Sequence, residues 1–289
     1  MTLNLLWYFI IYAFLGWCTE IVYTAAKTGK FVNRGFLNGP YCPIYGVGVI
    51  LVVNLLEPVQ NNIFYLFIGS ILITCAIELI AGFVLEKVFH QKWWDYSDLP
   101  FNFGGYICLM FSLMWGLACL VVVDKIHPLV ISLFNWIPNT VSEVLLIIFA
   151  CLFIVDLFST VKTILKLNEK LEIIDEITLK IREISESIGE NLATGAITFM
   201  HKKDDIEEIF KAKKEILEAD LAEMKDAQQK AMAHHKQTLI NLKKAYREHL
   251  ENITFGQKRL LQAFPGLKSL YHKDALEKLR NKDWRRKTN

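Results

Sequence analysis

We predict an all-α membrane protein: a polytopic bundle of about five membrane-spanning helices, some broken on the cytoplasmic side, followed by a cytoplasmic helical hairpin or coiled coil. The charge distribution is the first observation. Residues 1–156 carry 6 Lys+Arg and 9 Asp+Glu, whereas residues 157–289 carry 26 and 21. Long apolar runs in the first part and heptad spacing in the second are the other two.

These patterns divide the chain into three parts. Residues 1–160 form the expected transmembrane domain, residues 161–254 a cytoplasmic coiled coil or helical hairpin, and residues 255–289 a basic amphipathic tail. The expected partner of the first part is the lipid bilayer. The coiled coil is expected to join a second copy of the chain or to bind a cytosolic partner.

The expected spans are apolar runs of about 20 residues, the length that crosses a bilayer. Four such runs occur at 3–26, 63–89, 104–124 and 140–161. A fifth run, at 36–57, is interrupted at Pro40 and Pro43, where a helix cannot continue because proline has no N–H and clashes with the preceding turn. Non-helical backbone at membrane depth persists only where it is buried in protein or lines a wet cavity.

The positions of the cationic residues predict the orientation. The 27–34 connection has three basic residues and the 87–103 connection has two, whereas the 57–62 connection has none. The connection that begins at Lys125 has only that lysine, and the chain after the last run is rich in lysine. We therefore expect the N-terminus outside and the C-terminus in the cytoplasm.

Three acidic residues lie at least five residues from either end of an apolar run: Glu20, Glu78 and Asp156. Acidic residues at such positions are costly and suggest a functional site. Helix rise places all three roughly 9–14 Å from the cytoplasmic edge of the membrane. Buried carboxyl groups at one depth need a counter-charge, a shared proton or a cation, and Arg34 is the nearest candidate cation. The alternative is three separate carboxyls, each neutral or capped by a neighbouring group.

The runs at 3–26 and 63–89 resemble each other, and so do the loop and the apolar run that follow each of them. Glu20 precedes Pro40 by 20 residues, and Glu78 precedes Pro100 by 22. This spacing suggests two parallel repeats with a site at their interface, unless it arises by chance.

The segment 92–105, "KWWDYSDLPFNFGG", is too aromatic for an ordinary solvated loop. Trp93, Trp94 and Tyr96 are typical of residues at a membrane–water interface. That interpretation does not account for Asp95 or Asn102. We expect those two residues to belong to a folded cover over the polar site.

Several motifs resemble a known family: "FLGWCTE" (14–20), "RGFLNGPYCPIYGVG" (34–48), "WWDYSDLPFNFGG" (93–105) and "SLMWG" (112–116). They resemble the bacterial family catalogued as "putative ABC transporter permeases" of type IV, also called CmpB-like. The resemblance covers about residues 5–160, and "RLLQAFPGLKS" (259–269) resembles the tail of the longer Gram-positive members. It implies a multi-pass protein of the bacterial cell membrane. Its matched polar positions are Glu20, Arg34, Asn38, Tyr45, Glu78, Glu86, Trp94, Asp95, Tyr96 and Asn102.

The resemblance implies a permease, and the depth of the acidic residues predicts a polar site in the cytoplasmic half of the bilayer. The expected substrate or polar site comprises Glu20, Arg34, Asn38, Tyr45, Glu78, Asp95, Asn102 and Asp156. The chain has no GxxxxGK[ST] phosphate loop, so an ATPase would be a separate subunit, for which the sequence gives no support. The sequence contains no metal or nucleophile motif either, and we expect no cofactor and no nucleic-acid partner. An enzyme acting on lipid headgroups and a membrane-anchored coiled-coil scaffold are the alternatives.

Heptad spacing after residue 160 predicts a coiled-coil helix that ends near Gly189. Its seam positions are Ile164, Leu167, Leu171, Ile174, Thr178, Ile181, Ser185, Ile188 and Leu192. A second helix is predicted at about 203–253, with a less regular seam of Ile206, Phe210, Leu217, Leu221, Met224, Ala231, Leu239, Leu242, Tyr246 and Leu250. The basic tail is expected on the anionic inner leaflet; a plain disordered tail and an RNA-binding patch are the competing interpretations.

Overall fold

The computed structural model describes residues 2–134, 136–205 and 214–285, with side chains for residues 4–134, 136–190 and 225–281. The chain forms two compact units. The first comprises residues 1–168 and 254–276, and the second residues 169–253 and 277–289. Residues 254–276, which we call the C-terminal segment, therefore belong to the same unit as the apolar helices.

Apolar helices build the first unit. Helix α1 spans Thr2–Thr28, α2 spans Pro43–Leu56 with a 3-10 turn to Val59, and α3 spans Ile63–Phe89. Helix α4, Leu109–Val121, continues through a π turn, Val122–Ile126, into α5, His127–Phe134. Helix α6 runs from Asn139 to Asp205 and leaves this unit after Asn168.

Four of these helical stretches are long and apolar enough to cross a bilayer: Asn4–Thr28, Ile63–Phe89, Leu109–Phe134 and the first part of Asn139–Glu190. Their apolar side chains are largely exposed, as on a surface that faces lipid. The all-α membrane bundle predicted from the sequence is therefore confirmed. The interrupted fifth run becomes a shorter apolar helix over Pro43–Val59.

Helix α1 contacts three other helices of the first unit. The indole nitrogen of Trp7 donates a 2.8 Å hydrogen bond to Oγ of Ser142 at the start of α6. Tyr12 shares a 2.9 Å hydrogen bond with Nδ1 of His127 in α5. On another side, α1 packs closely against α2 because both helices place a glycine at their contact. These contacts hold α1 between α2, α5 and α6.

Two loops lie at the end of the unit where α1 and α3 end and α2 and α4 begin, which we call the loop end. The 29–42 loop joins α1 to α2, and the predicted restart of helix at Pro43 is confirmed. The 90–108 loop joins α3 to α4. It contains β1, Gln91–Lys92, and a hairpin of β2, Asn102–Phe103, with β3, Ile107–Cys108.

The sequence misplaced both ends of the third long span. We predicted that it begins at 104, but Gly104 and Gly105 form the turn of the β2–β3 hairpin, with φ of 61° and 75°. This left-handed geometry suits glycine and excludes a helix start. We also predicted an end at 124, yet the helix continues through the exposed Asp124–Lys125 pair to Phe134.

The C-terminal segment contains α8, Phe255–Ala263, and β4, Lys268–Ser269; α9, Lys273–Arg285, begins within it. Thr254 and Gln257 form a capping box at the start of α8. Strand β4 pairs antiparallel with β1, and the Leu270 amide donates to the His90 carbonyl oxygen at 3.0 Å. The apolar residues Leu276 and Leu279 of α9 are buried in protein, which leaves them unavailable for insertion into a leaflet.

The second unit contains the remainder of α6 and helix α7, Lys214–Glu251. The Lys170 ammonium group donates to the Asn252 carbonyl oxygen, so the start of one helical stretch meets the end of the other. Leu171 and Ile174, two predicted seam residues, are fully buried. A coiled coil, and its pairing with another chain, stay predictions.

The expected end of the first helix at Gly189 is wrong. Helix α6 continues to Asp205, because one glycine lowers helix stability by only about 1 kcal/mol. Residues 206–213, with the predicted seam positions Ile206 and Phe210, lie outside the described residues. The same holds for the side chains of Leu192, Leu217, Leu221 and Met224.

Candidate functional site

Glu20 and Tyr45 meet at the contact between α1 and α2. The Tyr45 hydroxyl donates a 2.7 Å hydrogen bond to Oε1 of Glu20. The ring of Tyr45 lies directly over Gly16, where an added Cβ would stand 2.3 Å from the Tyr45 Cγ atom. Gly16 therefore provides the space that lets Tyr45 reach Glu20.

Arg34 lies beside Glu20, as the sequence suggested. Its Nε atom is 3.6 Å from Oε2 of Glu20, which is a charge contact longer than a hydrogen bond. Its Nη1 atom donates to Oγ1 of Thr24 at 3.4 Å. Glu20 thus has both a hydrogen-bond donor and a positive charge next to it.

Glu78 has a different environment. The indole nitrogen of Trp115, in α4, donates a 3.0 Å hydrogen bond to Oε1 of Glu78. Its other carboxyl oxygen, Oε2, is buried and has no hydrogen-bond partner among the described residues. Among the described residues, Glu78 therefore keeps an acceptor without a hydrogen bond.

An aromatic contact joins the two glutamates. The rings of Tyr45 and Trp115 pack edge to face with their centroids 5.5 Å apart. A continuous chain of contacts runs from Glu20 through Tyr45 and Trp115 to Glu78, and we call these four residues the paired-glutamate site. Each pair of helices supplies one glutamate from its first helix and one aromatic donor from its second. This matches the expected repeat in arrangement, although the repeat itself stays a prediction.

Asp156 binds a different partner, the 29–42 loop. Its Oδ1 atom accepts hydrogen bonds from the backbone N–H and side-chain amide of Asn38, at 3.1 and 2.9 Å. Its Oδ2 atom accepts from the Gly39 N–H at 2.6 Å. The amide of Asn38 also donates to Thr160, one turn along α6. Asp156 therefore fixes the backbone that precedes α2.

Arg259 holds the same loop through its carbonyl groups. It donates to the backbone oxygens of Gly35 and Phe36, at 2.9 and 3.2 Å, and to Oδ1 of Asn38 at 3.1 Å. Burial lowers its pKa, which the negative charge of Asp156 raises in part. Sequence reasoning missed Arg259, since only the basic character of the last 35 residues singled it out.

Asp95 and Asn102 shape the 90–108 loop itself. Asp95 accepts hydrogen bonds from the backbone and hydroxyl of Ser97, and its other oxygen lies 2.6 Å from Nζ of Lys268. Burial opposes the ionisation of Asp95, but the hydrogen bonds from Lys268 and Ser97 outweigh it and lower its pKa to about 2. Asn102 bonds to the backbone of Ser97, Leu99 and Gly105. The hydrogen bonds of both residues are confined to this loop and the C-terminal segment.

The three aromatic residues of this loop have separate environments. Trp93 is buried between the rings of Phe36 and Phe264, so it packs against protein. Trp94 donates to the Tyr106 carbonyl oxygen at 2.9 Å. Tyr96 stacks on Phe111, and burial followed by the charge of Glu78 raises its pKa. Tyr96 therefore lies close enough to Glu78 for the charge of that carboxyl group to act on it.

Tyr106 and Glu86 form a further polar contact at the loop end. The Tyr106 hydroxyl donates to Oε2 of Glu86 at 2.8 Å, and Nζ of Lys92 lies 3.8 Å from the same oxygen. Burial and the hydrogen bond to Glu86 raise the pKa of Tyr106 to about 12. Glu86 therefore helps to attach the 90–108 loop to α3.

The structure sorts the eight predicted site residues into three groups. Glu20, Arg34, Tyr45 and Glu78 belong to or adjoin the paired-glutamate site, Asn38 and Asp156 hold the 29–42 loop, and Asp95 and Asn102 shape the 90–108 loop. Among the residues whose side chains are described, no three His, Cys, Asp or Glu residues are grouped to hold a metal ion. The paired-glutamate site offers hydrogen-bond acceptors and negative charge within an aromatic, apolar surround.

Comparison with known proteins agrees with the resemblance seen in the motifs. No curated protein and no solved structure matches the chain. The sequence model of one family, ABC_trans_CmpB, described as "Putative ABC-transporter type IV", matches residues 7–161. The match covers more than half of the chain and includes the paired-glutamate site and both loops, but not the C-terminal segment. The protein belongs to this family.

Proposed function

We propose that the protein is the membrane-spanning permease subunit of a bacterial transporter and that its solute passes the paired-glutamate site. The observation that carries this proposal is the link between Glu20 and Glu78 through two aromatic donors, with one Glu78 oxygen that has no hydrogen-bond partner among the described residues. In this proposal the protein lies in the cell membrane with its N-terminus outside and the loop end in the cytoplasm. The basic 27–34 and 87–103 connections support that orientation.

The two glutamates differ in charge balance. Arg34 offsets the charge of Glu20, whereas the one hydrogen-bond donor to Glu78 in the described part of the chain is a neutral indole. A carboxyl group at membrane depth is stable when it is protonated or meets a cation. Glu78 is therefore the exchangeable position of the site, and the transported species is a proton or a small monovalent cation.

The energy source lies elsewhere if the family's ABC description applies. The 289 residues contain no GxxxxGK[ST] phosphate loop, which cradles the phosphates of ATP. ATP-driven transport through this subunit therefore needs an ATPase beyond these 289 residues.

Ion flux through the purified full-length chain tests the proposal. The protein is reconstituted into proteoliposomes that contain a pH-sensitive dye, and a potassium diffusion potential drives proton entry; Na⁺ and K⁺ flux are measured in parallel. We expect flux above that of empty liposomes, loss of that flux in Glu78→Gln, and partial retention in Glu78→Asp. Glu143→Gln is the matched control, since Glu143 lies on an apolar helix but is exposed.

The alternatives predict other results. Equal flux in wild type and Glu78→Gln would overturn the assigned site, and the absence of flux of any of the three ions would overturn the ion assignment. Turnover of labelled phospholipid by the same preparation would favour an enzyme acting on lipid headgroups. A scaffold would keep its cellular phenotype with Glu78→Gln and lose it when residues 169–253 are altered.

A further inference from the structure

The C-terminal segment lies outside the family match yet is built into the unit that carries the paired-glutamate site. It contacts both loops of the loop end. Phe264 packs edge to face against Trp93 with ring centroids 4.7 Å apart, β4 pairs with β1, and Lys268 binds Asp95. Gly256 lies so close to Thr163 that an added Cβ would stand 2.9 Å from a Thr163 side-chain carbon.

Arg259 makes the most specific of these contacts. Its side chain is 9% exposed, and its three nitrogens each donate to a different acceptor within residues 35–38. The planar guanidinium group matches such a set of acceptors, which a lysine ammonium group cannot reproduce. Two of the acceptors are backbone oxygens, so the contact depends on the path of the loop more than on its side chains.

Arg259 and Asp156 hold the two kinds of backbone group in one short segment. Arg259 binds the carbonyl oxygens of residues 35 and 36, and Asp156 binds the N–H groups of residues 38 and 39. Asn38 joins them, because its oxygen accepts from Arg259 and its nitrogen donates to Asp156. The positive and negative groups are thus connected through one amide, and removal of either leaves buried polar groups without partners.

The same segment leads directly to the paired-glutamate site. The Cys42 N–H donates to the Ala13 carbonyl oxygen at 2.9 Å, which anchors the end of the loop on α1. The Tyr45 N–H then bonds to the Cys42 carbonyl oxygen, in the first turn of α2. Tyr45 reaches Glu20 from this turn, so the path of residues 35–42 sets the position of the Tyr45 hydroxyl.

We propose that Arg259 is a positioning residue of the paired-glutamate site and acts through Tyr45. The C-terminal segment thereby completes the site, although it is remote from it in sequence and outside the family match. The chain leaves the first unit at residue 168 and returns at residue 254, so residues 169–253 separate the site, in sequence, from the segment that completes it. The structural part of this proposal is independent of the proposed function; its flux part rests on that function.

Thiol labelling of Cys42 tests the structural part. Cys42 is buried at the end of the 29–42 loop, and Cys108, which is also buried and directly precedes α4, is an internal control. Full-length protein is treated with N-ethylmaleimide, and the labelling rate of each cysteine is followed by mass spectrometry. In Arg259→Gln we expect the rate at Cys42 to rise about tenfold or more, because labelling follows the population of opened loop. Arg259→Lys keeps the positive charge but not the planar guanidinium group. Its labelling rate at Cys42 should lie between those of Arg259→Gln and wild type.

Controls separate loop opening from unfolding. Lys268→Gln changes the same segment without touching residues 35–39, and it should leave the rate at Cys42 unchanged. Cys108 should label at the wild-type rate in every variant. An unchanged rate at Cys42 in Arg259→Gln would overturn the proposal, as would equal increases at Cys42 and Cys108.

A double-mutant cycle on ion flux tests the connection to Tyr45. If Arg259 acts through Tyr45, Arg259→Gln reduces flux in the wild-type background and causes no further loss in Tyr45→Phe. Independent, additive losses would overturn the positioning role. A lack of flux in wild type with a raised Cys42 rate in Arg259→Gln would refute the proposed ion transport and leave the loop contact established.

Discussion

The Tyr45 hydroxyl donates a 2.7 Å hydrogen bond to Oε1 of Glu20, and Gly16 provides space for the Tyr45 ring on α1. The contact thus depends on two features that lie far apart in sequence. Gly16 on α1 leaves room for the Tyr45 ring. The first turn of α2, after Pro43, sets the position of the ring along α1. The polar and steric parts of this contact can be tested separately.

Removal of the Tyr45 hydroxyl should destabilise the first unit while leaving the ring in place. Tyr45→Phe keeps the contact with Trp115 but deprives Glu20 of a donor. We expect the free energy of unfolding to fall by about 1–2 kcal/mol. This lies between the usual contribution of a hydrogen bond to a charged group and the smaller contributions found in membranes. Thermal unfolding in detergent measures it. Tyr65→Phe, at an exposed ring, should leave the midpoint unchanged; an equal shift in both variants would contradict the assignment.

A methyl group at Gly16 should push α1 and α2 apart. The added Cβ would stand 2.3 Å from the Tyr45 Cγ atom, at the base of a ring that cannot move without α2. We expect Gly16→Ala to cost about 1–3 kcal/mol, as overpacking does in other close contacts. Gly48→Ala is the matched control on α2, because its Cβ would meet only Ile77, at 3.9 Å. Comparable unfolding midpoints for the two variants would show that the contact is looser than described.

The sequence predicted the elements that depend on local patterns. Apolar length identified the four long helices, and Pro43 identified the restart of α2. The pairing of Arg34 with Glu20 could also be anticipated, because an ionised carboxyl group at membrane depth is costly and needs a counter-charge. In each case a short stretch of sequence carries the physical reason.

Other features depend on contacts between distant segments. Arg259 resembles any other basic residue of the tail until its partners at 35–38 are known. Asp156 was grouped with the two glutamates by depth, but depth does not specify direction, and its side chain points at loop N–H groups. The prediction that the helix ends at Gly189 was wrong, because the small loss of helix stability at one glycine is offset by the other residues of a long helix.

Replacement of Asp156 should release the 29–42 loop. Asp156→Asn substitutes an amide N–H₂ for an oxygen that faces N–H donors, so at least one buried donor loses its acceptor. We expect the free energy of unfolding to fall by about 1–3 kcal/mol and hydrogen exchange at the Gly39 amide to become faster. Exchange followed by mass spectrometry of the 33–42 peptide checks this. Asp124→Asn, at an exposed pair, should show wild-type exchange; slow exchange in both variants would contradict the role of Asp156.

The contact between Asp95 and Lys268 should depend on pH in a defined window. The pKa of Asp95, about 2 in the folded protein, lies below its ordinary value of about 3.9, so the ionised form is favoured by folding. Its contribution is complete above about pH 4, declines as the pH falls towards 2, and is lost below that value. Lysine stays protonated throughout this range, so the carboxyl group alone determines the effect.

Thermal unfolding of wild type and Asp95→Asn between pH 6 and pH 2 measures this contribution. We expect wild type to be more stable by about 1 kcal/mol at pH 6, because a partly exposed ion pair and the bonds from Ser97 are each modest. The difference should narrow below pH 4, since protonated Asp95 resembles asparagine in charge. The stability difference between wild type and Lys268→Gln should show part of the same pH dependence, because that variant lacks the positive partner of Asp95. A constant difference from pH 6 to pH 2 would show that Asp95 stabilises the loop through its shape and not through its charge.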